Sequence, residues 1–441
     1  MKLALTLGKS DINIFKTLSS RQQSLERSAA FHASLKHIEN SSKPIVAAIH
    51  GNALGGGLEL AMSCHYRLAL ASARVGQPEV LLGLIPGAGG TQRLPRLCGV
   101  PLALEMCTDG KPMPAARACA AGIIDQIVEG NRDALVAGAA AFARTRAETR
   151  AIRRTRDLPA APSDLRAAIA ACDERRAQLA KTATPVLAPY AAVDAIKAAV
   201  TLPFDAGSAV ERELFADCLV STESRALVHF FFAEREAAKV PGVPKSTPAR
   251  DIRRAAIVGA GTMGGGIAMT YANAGIPVLL KDVDEGALAR GMATIRKNYD
   301  ASVAKGRMTA DALGRALGLI TPTTTYDGFD AVDIVVEAVF EDLTLKTSTF
   351  ADLGRVTRRD SVLASNTSTL DIDALARASG RGSNVIGHHF FSPANVMKLV
   401  EIVRGRDTGP ETIATSQKLA KRLGKVGVVV GNCFGFVANR M

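Results

Sequence analysis

The sequence predicts an α/β protein whose C-terminal half is an open, doubly wound parallel sheet. Three observations carry that prediction. A short apolar run at 255–258 enters a glycine turn, Gly259-Ala-Gly-Thr-Met-Gly264. An apolar, helix-like segment at 267–274 follows the turn. A second apolar run, 276–280, then leads to the acid Asp282. Strand, glycine turn, helix, strand and acid in that order make one βαβ unit, because parallel neighbours need a crossover that a helix supplies.

Each glycine has a separate physical role. Gly259 permits the tight turn, Gly261 lets the backbone approach a pyrophosphate, and Gly264 lets the helix pack closely on the strand. The first helical turn then faces the phosphates with unpaired N–H groups and a positive dipole end. Asp282 is placed to accept hydrogen bonds from an adenosine ribose. Its charge favours NAD over NADP, because it repels a 2′-phosphate. Lys281 is expected on the opposite face of the strand. The segment therefore reads as the start of a Rossmann-type NAD-binding domain.

The alternation continues with a helix at 286–305, a buried strand at 331–339, a strand and exit loop at 361–368, and another strand at 384–393. In an open parallel sheet, ligands gather at the carboxyl ends of strands. Ser368 and His389 both fall there. Oxidising a hydroxyl to a ketone needs a base for the O–H proton, and an imidazole titrates near neutrality. His389 suits this, with Glu401 as a partner that orients the ring. On spacing alone His388 is an equal candidate.

Composition excludes several classes. The chain of 441 residues is 47% hydrophobic and 22% charged, ordinary for a globular protein, and long enough for about three domains. No apolar run reaches the roughly 18 residues of a membrane span. The cysteines, Cys64, Cys98, Cys107, Cys119, Cys172, Cys218 and Cys433, form no C-x-x-C pair and read as reduced thiols. No His/Cys cluster suggests a metal. The net charge is +12. Its densest patch is Arg144, Arg146, Arg150, Arg153, Arg154 and Arg156. With no tryptophan and no nucleic-acid motif, this reads as a solvated helix face or a positive field for polyanionic small molecules, not a nucleic-acid site.

In the N-terminal half, 20–41 reads as a polar-faced helix and 43–50 as a buried strand opened by Pro44. The strand runs into Gly51-Asn-Ala-Leu-Gly-Gly-Gly-Leu-Glu-Leu60, then a helical stretch. A strand at 66–72, a turn at 75–79 and a glycine-rich loop at 84–95 follow. Glycines at 55–57 before an apolar helix let an oxyanion, such as a thioester enolate, approach the backbone near a positive dipole end. Glu59 sits in the first turn of that helix and Glu79 in a separate turn. Two carboxyls beside one oxyanion hole are what water addition across a double bond needs, one accepting a proton as the other donates.

Residues 43–60, and the run Gly76-Gln-Pro-Glu-Val-Leu-Leu-Gly-Leu-Ile-Pro-Gly-Ala-Gly-Gly-Thr-Gln-Arg-Leu-Pro95, resemble the crotonase (enoyl-CoA hydratase/isomerase) superfamily. The resemblance implies a crotonase-like ββα-spiral domain. It implies catalytic roles for Glu59 and Glu79, and an oxyanion hole made by the amides of Gly56 and Ser10. It also implies that 121–125 is the domain's closing strand. The family's opening strands have no counterpart before Ser10, so the chain reads as N-terminally incomplete.

In the second half, Ser365-Asn-Thr-Ser368, His389-Phe-Phe391, Met397-Lys-Leu-Val-Glu401 and Gly435-Phe-Val-Ala-Asn-Arg440 resemble L-3-hydroxyacyl-CoA dehydrogenase. The resemblance implies that His389 is the base and Glu401 its partner. Ser368 and Asn439 are implied to hold the substrate's oxygens, and Glu341 and Lys346 to contact the cofactor. Ser392 departs from the Asn often found after the His-Phe-Phe motif.

The expected layout is a crotonase-like domain at 1–185, a helical connector and Pro-rich linker at 186–250, a Rossmann domain at 251–430, and the start of a missing helical domain at 431–441. It resembles the multifunctional enzymes of fatty-acid β-oxidation. The expected function is hydration of a trans-2-enoyl-CoA followed by NAD-dependent oxidation, with double-bond isomerisation open to the same two glutamates. The alternative is a truncated module that binds NAD and acyl-CoA with one or both activities lost. Acyl-CoA thioesters are the expected partners. The expected compartment is the cytosol if the chain is bacterial and the peroxisome if it is eukaryotic. Chain-length preference and oligomeric state stay open.

Overall fold

The computed structural model describes residues 13–18, 20–161, 164–181, 186–244 and 246–440. The chain divides into two compact units, up to residue 232 and from 233 onward.

The first unit holds strands Val46–Ile49 (β1), Asn52–Leu54 (β2), Tyr66–Leu70 (β3), Arg74–Gly76 (β4), Met113–Pro114 (β5) and Gln126–Val128 (β6). They form two three-stranded sheets, β1-β3-β6 and β2-β4-β5. β1 pairs with β3 and β2 with β4, both in parallel. Consecutive strands therefore enter different sheets before helix Gly56–Ser63 carries the chain to its next turn. That repeat of strand, strand and helix is the ββα spiral.

The core of this unit joins Leu58, Met62, Ile85 and Leu94 to Ala192, Ile196 and Leu219. The last three come from helices Leu187–Thr201 and Phe204–Val220. These helices were expected as a connector between domains. In the structure they complete the first unit, because small residues such as Ala188, Ala191, Ala195 and Ala199 let the first helix lie close against the core. A second difference concerns 121–125, expected as a strand. Gly122 adopts φ +85°, and the N–H groups of Ile123 and Ile124 fold back on Ala118 O, so this buried apolar run is a turn and the strand starts at Gln126.

The arginine patch is broken up rather than laid along one helix face. Helix Arg132–Glu148 ends before Arg150. The guanidinium groups of Arg146 and Arg153 lie 5.1 and 5.0 Å from the Tyr66 ring centre, and Arg153 pairs with Asp125.

The second unit holds one eight-stranded sheet. Its strands are Ala255–Val258 (β7), Val278–Lys281 (β8), Ile320–Thr323 (β9), Ile334–Glu337 (β10), Val362–Ser365 (β11), Val385–Phe390 (β12), Leu399–Arg404 (β13) and Val426–Gly431 (β14). The order is β14-β13-β12-β11-β10-β7-β8-β9. Only the β12–β13 pairing is antiparallel. The strands β7, β10 and β11 are buried along their whole length, as central strands covered on both faces must be. The chain runs outward from β7 to β9, then restarts at β10 on the other side of β7. The switch point, where such folds bind ligands, lies between β7 and β10. Among the described residues no helix is long and apolar enough to cross a membrane.

Candidate active sites

In the first unit, backbone geometry gathers the carboxyls. Gly55 caps helix Gly56–Ser63 with φ +56°, and a Cβ there would stand 2.5 Å from Glu79 Oε1. Both the turn and the space for Glu79 demand glycine. Gly56 opens the helix, so its N–H is one of the first-turn donors that the helix cannot satisfy. Ser10, the other expected oxyanion donor, lies outside the described residues. Glu59, one turn in, is 3% exposed. Its Oε1 accepts the Ala88 N–H at 2.7 Å and the Gly90 N–H at 2.8 Å.

Gln77, not singled out from sequence, sits between the two glutamates. Its amide is 2.7 Å from where a Gly90 Cβ would stand, beside Glu59 Oε1 at 2.8 Å. With its NH2 turned to Glu79, it donates to both Glu79 oxygens at 3.1 Å. Burial raises the Glu59 carboxyl, opposed by its two N–H donors. Burial, and then the Glu59 charge, hold Glu79 well above the usual carboxylate range. The two carboxyls titrate as a pair, with Glu79 the better proton store and Glu59 the better acceptor.

In the second unit, Gly259 has φ +100°, and a Cβ there would meet Ala338 O at 2.6 Å. At Gly264 a Cβ would lie 1.8 Å from Gly259 O. At Gly261, the N-cap of helix Thr262–Asn273, a Cβ would meet nothing within 4 Å. Two glycines are thus required by packing, while the third faces open space at a helix N-terminus, as an approaching pyrophosphate needs. Asp282 Oδ2 accepts the Ala260 N–H at 2.7 Å and Oδ1 the Val283 N–H at 2.7 Å. This fixes the carboxylate against the turn, with lone pairs left for a ribose. Lys281 points away, its Nζ 4.6 Å over the Tyr326 ring. These residues fit a bound dinucleotide.

The two histidines separate by strand alternation. His388 turns into the core and hydrogen-bonds the Ser416 hydroxyl at 2.8 Å, and burial pulls its pKa down to about 4. His389 points the other way. It pairs in register with Glu401, and its Nδ1 lies 2.8 Å from Glu401 Oε2. Glu401 Oε1 accepts the N–H groups of Val437 and Ala438 at 3.1 and 2.9 Å. The rings of Phe391 and Phe436 lie 4.4 and 5.7 Å from the imidazole. Residues 431–440, expected as the start of another domain, here supply a buried Phe436 and two donors to this site.

Asn439 Nδ2 reaches Ser368 O at 3.5 Å, so those two expected residues come together. Glu341 Oε1 accepts the Thr367 hydroxyl at 2.6 Å and the Ser368 N–H at 2.7 Å. Burial works to raise the Glu341 carboxyl, but these donors and the Lys346 charge outweigh it and hold it low. Lys346, the other residue expected to contact the cofactor, has its own partners within the chain. It is fully buried, and its Nζ is held by Glu337 Oε1 at 2.6 Å and by the carbonyls of Val339 and Asn366 at 3.4 Å. It braces the ends of β10 and β11 from behind Glu341, which lies 3.5 Å away.

Residues 11–156 match the family model described as enoyl-CoA hydratase/isomerase. Residues 254–433 match 3-hydroxyacyl-CoA dehydrogenase, NAD binding domain. Each half of the chain thus matches the model of one of these two families. The hydratase-family domain contains Glu59, Gln77 and Glu79, and the NAD-binding domain contains Asp282, His389 and Glu401. Similar proteins include the peroxisomal bifunctional enzyme of Cavia porcellus, 42% identical over 92% of this chain and 56% of its own. That of Danio rerio is 43% identical over the same shares. The peroxisomal fatty acid beta-oxidation multifunctional protein of Oryza sativa subsp. japonica is 38% identical over 98% of this chain and 60% of its own. The chain thus spans little more than half the length of these relatives.

Proposed function

We propose that the chain hydrates trans-2-enoyl-CoA thioesters in its first unit and oxidises the resulting L-3-hydroxyacyl-CoA with NAD in its second. One observation carries the reading. A pair of buried carboxyls, one of them proton-retaining, and an imidazole–carboxylate pair at a dinucleotide edge stand in one polypeptide, and the product of the first chemistry is the reductant for the second.

In the hydration, Glu59 takes a proton from water as the hydroxyl adds to C3, and Glu79 delivers a proton to C2. The Gly56 N–H holds the charge that develops on the thioester oxygen. In the oxidation, the imidazole of His389 accepts the C3 hydroxyl proton through Nε2. Glu401 fixes the tautomer and supports the charged ring. The glycine turn and Asp282 would hold NAD, which when bound would supply the hydride acceptor. Ser368 and Asn439 orient the substrate's oxygens. Glu59 and Glu79 can also shuttle a proton between carbons, which would isomerise double bonds. The named relatives are peroxisomal, and that is the compartment we propose if the chain is eukaryotic; a bacterial chain would act in the cytosol.

Incubating the chain with crotonyl-CoA, with and without NAD, tests the reading. Loss of the conjugated enone without NAD, and NADH formation with it, are expected. Tight binding of both ligands with no turnover would mean a binding module instead.

A further inference from the structure

A third buried carboxyl lies against the hydratase-family site. Glu211, on helix Phe204–Val220, is fully buried. Its Oε1 accepts the Gly89 N–H at 2.6 Å, and its Oε2 accepts the Thr91 N–H at 3.0 Å and the Thr91 hydroxyl. The Ala88 and Gly90 N–H groups go to Glu59. Four consecutive amides, 88 to 91, therefore alternate between two acidic residues. The alternation is possible because Gly89 takes a left-handed conformation, φ +89°. Moving any one of these amides moves its neighbours, so the hold on Glu59 and the hold on Glu211 are mechanically one structure.

We propose that Glu211 is a positioning residue for hydration: it fixes the 88–91 turn whose other two amides orient Glu59. This rests on the reading of Glu59 and Glu79 as the hydration pair. A charge effect accompanies the geometry. The groups facing Glu211 are Glu59, Glu79, Arg93, Cys107 and His32, whose Nε2 is 3.8 Å away. Burial, and then the Glu59 charge, push Glu211 up to about 8, against the pull of Thr91, Gly89 and Arg93. As Glu211 ionises in mildly alkaline solution its charge raises Glu79 further, and so extends the range in which Glu79 keeps its proton.

The test is E211A, with E211Q as a variant of the same volume that keeps one acceptor oxygen. Two readouts are taken: the pH profile of crotonyl-CoA hydration, and amide hydrogen exchange at 88–91. E211A is expected to lower kcat by about 10–100-fold with KM little changed, since a small misplacement of a reacting group has that scale of effect. Its alkaline limb should move to lower pH, because the charge that raises Glu79 is gone. Exchange should rise at all four amides, including Ala88 and Gly90, which Glu211 does not touch. E211Q should fall between wild type and E211A. Wild-type kcat and pH profile in E211A, or loosening confined to Gly89 and Thr91, would each overturn the proposal. The exchange readout decides it even in a chain that hydrates nothing, so failure of the hydration reading and failure of this proposal are told apart.

Discussion

The two sites handle buried carboxyls in opposite ways. In the hydratase-family unit, Glu59, Glu79 and Glu211 crowd together; burial raises all three, and the Glu59 charge adds to the rise of Glu79 and Glu211. In the NAD-binding unit each acid is matched with donors or a cation, Lys346 serving two of them. Glu401 meets an imidazole and two amides, Glu337 meets Lys346, and Glu341 meets a hydroxyl, an amide and the same lysine. The difference teaches what each reaction asks of its acids. Adding water requires a carboxyl that keeps a proton to give away, and crowding supplies that. Hydride transfer to NAD requires only one mobile proton, on the imidazole, and the acids around it hold the ring, Lys346 and the 367–368 loop in place.

The contrast can be broken most sharply at Glu79. Glu79→Gln keeps the shape but removes the transferable proton, and should lower hydration by about 10²–10⁴-fold. Oxidation of 3-hydroxybutyryl-CoA by the same preparation, followed as NADH, should be unchanged. Next comes Glu401→Gln, which leaves His389 in place but weakens support for its charged form. NADH formation should fall at least about 10–100-fold, the scale on which the carboxylate partner of a metal-bound histidine acts, while hydration is untouched.

A pH profile sharpens the comparison further. Because Glu79 is held well above the usual carboxylate range, hydration should persist at pH values where an ordinary carboxyl has lost its proton. Activity should decline only as pH rises through the raised value. A fall-off at an ordinary carboxyl pKa would contradict the crowding account.

The smallest effect concerns stability. Burial holds the His388 pKa at about 4 in the folded chain, against 6.5 for the free group. Between those values the unfolded chain binds a proton that the folded chain refuses. The contribution is therefore intact above pH 6.5 and is lost as pH falls toward 4. Denaturant unfolding of His388→Gln at pH 7 and pH 5 should show a shallower pH dependence than wild type.

Much of this was legible in the sequence, for local reasons. A glycine turn between two apolar runs dictates its own geometry, so Gly259, Gly261, Gly264 and Asp282 stand together as expected. Glu59 was legible as a first-turn acid, and its pairing with Glu79 mainly through the resemblance of 43–60 and 76–95 to the crotonase superfamily. What was hidden depends on long-range packing. From spacing alone the choice between His388 and His389 needed the β12–β13 register, although the resemblance already implied His389. The pairing of Lys346 with Glu337 was equally hidden. Glu211 lies 120 residues from Thr91, on a helix that read from sequence as part of a connector between domains. Gln77 carried a signal that could have been used: a polar residue ahead of Pro78, inside a turn already suspected of catalysis.

The most direct test of two separate sites in one chain is complementation. Glu79→Gln and His389→Ala are each supplied with crotonyl-CoA and NAD, alone and mixed, and NADH is followed. Each variant alone should form almost none, the first for lack of hydroxyacyl thioester and the second for lack of a base, while the mixture should recover it. A mixture that stays silent while wild type turns over, or a Glu79→Gln chain that makes NADH from crotonyl-CoA at the wild-type rate, would contradict the account.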